Sequence, residues 1–373
     1  MKNIICSVID SPPRKWSYWR DVRSRETYLN FDKSLFPDNA YFCDEVMKNK
    51  NTHKDKDKEQ SKKNYKNNKV FEKIEIIDRI GSPSADAEVY RIKFNNVEFA
   101  LKLMPRKDDQ SAKRNETEID TAVQASRFID YFPLTFAYGF CENSSYFLSQ
   151  DNYFSSFIPE AQKFNIIYKM KSQIIDQRVK KRFSADVRND MSIEDLQTKY
   201  GVFSDGKDIQ VDYLISELAN GDLGTWIKRK RELSEWRKIF IEIIYGIYYL
   251  TVEVRKVHPD LHPGNILIVQ DENKARALIH DFGRCIDVDD SIPATYKSSL
   301  LSFCQEFLSC STRDDLIIPR DIIASVQDLQ KFIETKDING ENIENVYTQF
   351  IIPIAAGTGD ICFEPGDFFD SLK

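Results

Sequence analysis

The residues best able to do chemistry stand close together in the chain. His258-Pro259-Asp260-Leu261-His262-Pro263-Gly264-Asn265 is followed, after two short apolar runs, by His280-Asp281-Phe282-Gly283. Asp260 is a carboxylate beside a turn. Asn265, five positions on, and Asp281 offer the hard oxygen donors that suit Mg²⁺. Two plainer readings compete. Asp and Asn next to Pro and Gly are ordinary turn formers, and His258 with His262 could be a metal pair on a helix. Pro259, Pro263 and Gly264 oppose the helix that such a pair needs.

This segment resembles the protein kinase superfamily, whose catalytic loop reads H-x-D-L-x-x-x-N, with the same five-residue interval from Asp to Asn, and whose metal loop reads D-F-G. Phosphoryl transfer asks a protein for alignment and charge neutralisation more than for covalent help. The resemblance implies that Asp260 orients the acceptor hydroxyl and takes its proton, and that Asn265 and Asp281 hold Mg²⁺ against the phosphates of ATP. It implies that Phe282 packs inward, and that buried His258 is a hydrogen-bonding post rather than an acid or base.

Further upstream, Phe99-Ala100-Leu101-Lys102-Leu103 resembles the V-A-I-K strand. By that likeness Lys102 grips phosphate and Ala100 joins the nucleotide site. An ammonium on an apolar strand is costly without anionic partners, although a lysine that snorkels to the surface is the ordinary alternative. Its carboxylate should come from the next helix. Glu116 is preferred because Ile119 and Val123 follow at helical spacing, with Glu118 as the alternative. The glycine-rich loop is thin: only Gly81 survives in Gly81-Ser82-Pro83-Ser84-Ala85-Asp86-Ala87-Glu88-Val89, Pro83 has no N–H, and Val89 is left to cover the adenine. Glu217-Leu218-Ala219 resembles the kinase hinge, which implies adenine contacts from the backbone of Glu217 and Ala219 and places Ser216 at the rear of the pocket.

The elements that must position these residues are legible in outline. Runs at 71–80, 88–94 and 97–104 read as an antiparallel meander, with Asn95-Asn96 as a hairpin turn. Residues 111–128 read as helix, and 132–140 and 211–217 as strands. Trp236, Ile239, Phe240, Ile243, Ile247 and Leu250 follow helical spacing behind Ser234, the expected N-cap. Two strands at 266–269 and 277–279 flank a turn. The expected fold class is α+β, a two-lobed kinase-like fold with a small antiparallel-sheet N-lobe and a mainly helical C-lobe. Its expected parts are an aromatic-rich extension at 1–46 that packs on the main domain or a partner, and a polar linker at 47–69 with almost no apolar residue. After these come an N-lobe at 70–217 with an insertion at about 141–210, and a C-lobe at 218–373.

The resemblance has departures. Pro259 replaces the arginine that in many kinases binds a phosphorylated loop, His262 stands where a lysine is usual, and no A-P-E follows. The string D-L-H-P-G-N is similar to that of aminoglycoside and choline phosphotransferases. Three functions are therefore carried: an atypical Ser/Thr protein kinase acting on a protein substrate, a small-molecule kinase, and a pseudokinase scaffold. Oligomeric state is left open. A net charge of -6 gives no general attraction to nucleic acid or anionic membrane. No apolar run reaches the roughly 20 residues of a membrane span, so an intracellular, soluble chain is expected. Its Lys, Asn and Ile richness resembles kinases of large DNA viruses, which would place it in the host cell or virion. Seven scattered cysteines without a Cys-x-x-Cys pair lead to an expectation of reduced, buried thiols.

Overall fold

The computed structural model describes residues 25–39, 42–43, 74–80, 87–106, 108–144, 209–271, 274–312 and 316–357. The polar run 47–69, the loop 81–86 with Gly81, residues 145–208 of the expected insertion and the segment 358–373 lie outside these. In chain order the elements are α1 (Arg25–Leu29), β1 (Glu75–Ile80), β2 (Glu88–Phe94), β3 (Val97–Pro105), α2 (Asp109–Ala125), β4 (Thr135–Ser144) and β5 (Ile209–Glu217). Then come β6 (Gly221–Asp222), α3 (Leu223–Trp226), α4 (Leu233–Val252), β7 (Lys256–Val257), β8 (Ile266–Asp271), β9 (Lys274–Ile279) and β10 (Ile286–Asp287). The chain continues through α5 (Thr295–Ser311), α6 (Arg320–Thr335), α7 (Ile343–Val346) and α8 (Ile352–Ala356). The protein is α+β. Its contacts divide it into one unit of Met1–Trp16, Phe31–Asn115 and Phe136–Ser216, and a second of Ser17–Asn30, Glu116–Thr135 and Glu217–Lys373.

The first unit is built on a five-stranded sheet of order β1-β2-β3-β5-β4. Asn95 and Asn96 both have positive φ, 48° and 60°, the geometry whose twist matches an antiparallel hairpin. Strict alternation along β2 and β3 buries Tyr90, Ile92, Phe94, Phe99, Leu101 and Leu103 on one face. Phe31 and Phe36 from the N-terminal region close on that face. Phe31 meets Phe99 edge-on at 5.0 Å, and Phe36 lies 4.9 Å from Phe94. The aromatic extension thus packs on the sheet through these residues, while Trp16, Tyr18, Trp19 and Tyr41 lie outside the described residues.

A second tie lies along β4. The Asn39 amide donates to the Phe140 carbonyl at 2.9 Å and accepts from its N–H at 3.1 Å. Phe42 stacks on Tyr213 at 4.0 Å. Gly139 makes room for this, since a Cβ there would lie 2.0 Å from Asn39 Oδ1. Cys43 and Cys141 form a disulfide, which corrects the expectation that all thiols are reduced. Spacing alone could not pair two residues 98 apart. Cys285, Cys304 and Cys310 are buried thiols outside any disulfide, as expected. β4 begins at Thr135, later than the expected 132, because Pro133 has no N–H to give a ladder.

Helix α2 starts earlier than expected because Asp108 caps it. The Ser111 N–H donates to Asp108 Oδ1 at 2.7 Å, and the Asp108 N–H donates to Ser111 Oγ at 2.9 Å. In the first unit Arg106 grips Asp212 with two bonds of 2.7 and 2.8 Å. Asn115 joins the same carboxylate at 2.9 Å and the Met104 carbonyl at 3.0 Å. That network fastens the start of the helix to β3 and β5.

The second unit is organised around α4. Its buried residues Trp236, Ile239, Phe240, Ile243, Ile247 and Leu250 recur at helical spacing. They meet Trp226, at 4.8 Å from Trp236, and Phe303, at 5.4 Å from Phe240. The N-cap is Glu232 rather than Ser234: its N–H donates to Glu235 Oε2 at 3.1 Å, so the helix starts two residues earlier than expected. Gly246 lets α4 approach β9, since a Cβ there would stand 2.9 Å from Ile279. Strands β8 and β9 extend into the expected turn and pair through Asp271–Lys274. Helix α6 adds a stripe of Ile322, Val326, Leu329 and Ile333. No helix among the described residues is long and apolar enough to cross a membrane.

Candidate phosphoryl-transfer site

In the first unit, Val89, Ala100 and Lys102 occupy the half-buried face of the meander, opposite its aromatic core. The register sets Val89 directly across from Lys102, and Arg91 across from Ala100. Three of the residues expected at the nucleotide are therefore neighbours on one surface.

In the second unit, the loop from His258 to Asn265 is held at both ends. The β8–β9 hairpin pairs Ile266 with Ile279, and the His280 N–H donates to the Asn265 carbonyl at 3.1 Å. Asn265 and Asp281 are thereby brought within one residue of each other across the hairpin base. At the other end, β7 and β10 pair Val257 with Ile286 and Lys256 with Asp287, whose side chains bridge at 2.6 Å. Arg255, at φ 61°, bonds Asp290 at 2.7 Å and the Tyr296 hydroxyl at 2.9 Å, and that hydroxyl donates to Asp290. The segment after Asp281 is fixed beside the segment before Asp260.

Hydrogen bonds fill in the loop. The Asn265 Nδ2 donates to the Asp260 carbonyl at 2.8 Å, which turns its Oδ1 away as the group able to bind a cation. Ser299 accepts the His258 N–H and Ser302 accepts the Leu261 N–H, while the Ser302 hydroxyl donates to the Pro259 carbonyl. His258 bonds the His280 carbonyl at 3.1 Å, and His280 bonds the Gly264 carbonyl at 3.1 Å. A carbonyl only accepts, so both rings carry their proton on Nε2. Burial holds the His258 ring below its usual pKa, hence neutral. His258 is a post for this loop. His262 Nδ1 accepts the Gly264 N–H at 3.0 Å, and a Cβ at Gly264 would sit 2.8 Å from that ring. With His258 and His262 both engaged by the backbone, a paired metal site on them has no support.

Asp281 takes the left-handed conformation, φ 67° and ψ 63°, a strained choice for a side-chain-bearing residue and one that clusters at functional sites. It starts the turn Phe282–Arg284. Phe282 is buried, 6.1 Å from the rings of Phe132 and His258. Arg284 swings back to bond Asp260, Nη1 to Oδ2 at 3.0 Å. No group of three or more His, Cys, Asp or Glu placed to hold a metal exists among the described residues. Asn265 and Asp281 as a two-oxygen set fit an ion that keeps waters and takes phosphate oxygens, which is the habit of Mg²⁺.

Glu217 is buried, and its N–H donates to the Leu134 carbonyl at 3.0 Å. Of its backbone groups, only the carbonyl could serve an adenine edge. Its carboxylate accepts from the Leu134 N–H at 2.8 Å and from Arg25 at 3.1 Å, and Arg25 also donates to the Phe132 carbonyl at 3.0 Å. Burial pushes the Glu217 carboxyl up, opposed by Arg25. Ala219 packs with Val269, Leu278 and Leu267 in an apolar cluster. On α2, Glu116 is exposed, whereas Glu118 is 3% exposed on the buried stripe of Ser111, Asn115, Ala122 and Ala125. Of the two candidate carboxylates, the alternative Glu118 is the buried one and the preferred Glu116 is not: Ile119 faces inward, but Val123 is only half-buried, so the buried face lies about a third of a turn from where Glu116 points.

Sequence reasoning missed Arg25, Arg284 and the Arg106–Asp212–Asn115 network. Each joins positions remote in the chain, and an isolated arginine gives no signal of its partner. No protein-family model matches the chain and no curated protein matches it.

Proposed function

We propose that this chain is an ATP-dependent phosphotransferase of the protein-kinase type, using Mg-ATP to phosphorylate Ser or Thr hydroxyls of a protein substrate, with its small sheet and its helical part as the two lobes. The observation that carries the reading is the β8–β9 hairpin base. There Asn265, oriented by the Asp260 carbonyl, stands beside Asp281, which is held left-handed. Oxygen donors and a carboxylate base gathered at one hairpin base are what phosphoryl transfer needs from a protein.

Mg²⁺ supplies charge neutralisation on the phosphates when bound. Asn265 Oδ1 and the Asp281 carboxylate would hold it. Asp260 orients the acceptor hydroxyl and takes its proton as the oxygen bonds to the γ-phosphorus and the bond to the ADP oxygen breaks. Within the first unit, Val89, Ala100 and Lys102 offer one surface for the nucleotide.

The test is transfer of labelled phosphate from Mg-ATP to casein or a basic protein, run beside small alcohols and aminoglycosides. Asp260→Asn abolishes transfer and leaves ATP affinity within a few-fold. Transfer that persists in Asp260→Asn refutes the assigned base. Labelling of the small molecules alone selects the small-molecule kinase, whose D-L-H-P-G-N string the loop shares. Nucleotide binding without transfer to any acceptor selects the scaffold.

A further inference from the structure

Resting on the phosphotransferase reading, we infer that Arg284 is a catalytic residue: its guanidinium binds the phosphoryl group during transfer and holds the Asp260 carboxylate at the same time. The charge inventory of the loop points to it. Pro259 and His262 occupy positions where cations are usual, and His262 Nδ1 accepts the Gly264 N–H, so that atom carries no proton. From His258 to Asn265 the loop contains no lysine or arginine. The charge spread over the phosphoryl oxygens in the transition state is stabilised by a fixed positive charge in addition to the metal.

Arg284 meets that need by geometry. The left-handed Asp281 and the turn closed by the Cys285 N–H on the Phe282 carbonyl, at 2.9 Å, carry it back onto Asp260 Oδ2 at 3.0 Å. One of its five N–H donors is used there. Its side chain is 62% exposed, so the remaining face of the fork is open to a phosphate. The guanidinium is charged at every working pH. An ion pair this exposed contributes little to folding, so stability does not account for its place on the carboxylate assigned as the base.

The test compares wild type, Arg284→Met, Arg284→Lys, Arg284→Gly and Asp260→Asn as full chains with Mg-ATP and a protein acceptor, with ATP affinity measured separately by calorimetry. Arg284→Met lowers kcat by about 100-fold or more and changes the KM for ATP by less than about threefold. Arg284→Lys recovers part of the loss, and added guanidinium restores Arg284→Gly but not Asp260→Asn. Arg284→Met with kcat near wild type overturns the inference, as does a rise in kcat, which would make the ion pair a brake. A loss rescued by neither lysine nor guanidinium also overturns it, by marking a purely structural role. Wild type that binds Mg-ATP but transfers to no acceptor overturns the phosphotransferase reading and this inference with it. An active wild type beside an unaffected Arg284→Met overturns this inference alone.

Discussion

Arg25→Met tests whether the N-terminal region is structurally part of the second unit. Arg25 is 6% exposed and Glu217 is fully buried; the Nη2–Oε2 bond is 3.1 Å, and Nε stands 3.1 Å from Oε1 outside hydrogen-bonding angle. Methionine keeps most of the volume but removes both the charge and the donor to the Phe132 carbonyl. The Glu217 carboxylate would retain its Leu134 N–H and lose its counter-ion, and breaking a buried pair from one side costs about 3–5 kcal/mol. For a unit of this size that is roughly 6–20 °C in Tm. The sign of the pH dependence follows. Burial already raises the Glu217 carboxyl above 4.5, and loss of Arg25 removes the strongest opposing cause. The folded variant then holds a proton that the unfolded chain releases, so its deficit is smallest near pH 4.5 and widens as pH rises. Denaturant unfolding followed by tryptophan fluorescence suits the question, because Trp226 and Trp236 are buried in this unit. Arg25→Met with Glu217→Gln should recover much of the loss. A single variant within 1 kcal/mol of wild type at pH 7.5, with no coupling in the cycle, refutes the reasoning.

Neutral, buried His258 adds stability that is full above its ordinary pKa of 6.5 and is lost as pH falls below it. His258→Gln should therefore flatten the stability profile between pH 7.5 and 5.5, as read by denaturant midpoints. Gly264→Ala drives a Cβ to 2.8 Å from the His262 ring; transfer should fall at least tenfold while unfolding shifts by about 1–3 kcal/mol, and unchanged kinetics would contradict the tight loop. Cys43→Ser, or reduction, opens a tie between residues 98 apart and should cost about 2–4 kcal/mol in the unfolding of the first unit, measured by hydrogen exchange in β4 and β5.

Legibility in the sequence followed the range of the interactions. Strand β2 falls at 88–94 where the run of β-prone residues placed it, and the Asn95-Asn96 turn takes the hairpin geometry, because strand propensity and turn chemistry are local. The spacing of Asp260, Asn265 and Asp281 was readable because a hairpin of short strands turns sequence distance directly into adjacency. Helix ends were less so: Asp108 and Glu232 cap with side chains whose choice depends on one reciprocal bond. Glu116 and Glu118 are two residues apart on a helix, and only the packing around Asn115 and Ala122 decides which is buried. Arg25, Arg284 and the Cys43–Cys141 bond depend on distant chain segments meeting, and no local pattern encodes that.

The left-handed backbone at Asp281 has a consequence for protein engineering. Position 281 is occupied by a residue that tolerates that conformation less well than glycine does, at a penalty of about 1–2 kcal/mol. A selection for heat resistance alone would favour glycine there, and the more stable population would no longer carry the carboxylate. Libraries built on this chain should therefore keep codon 281 fixed, and a gain in melting temperature from Asp281→Gly would show how much robustness the native residue forgoes.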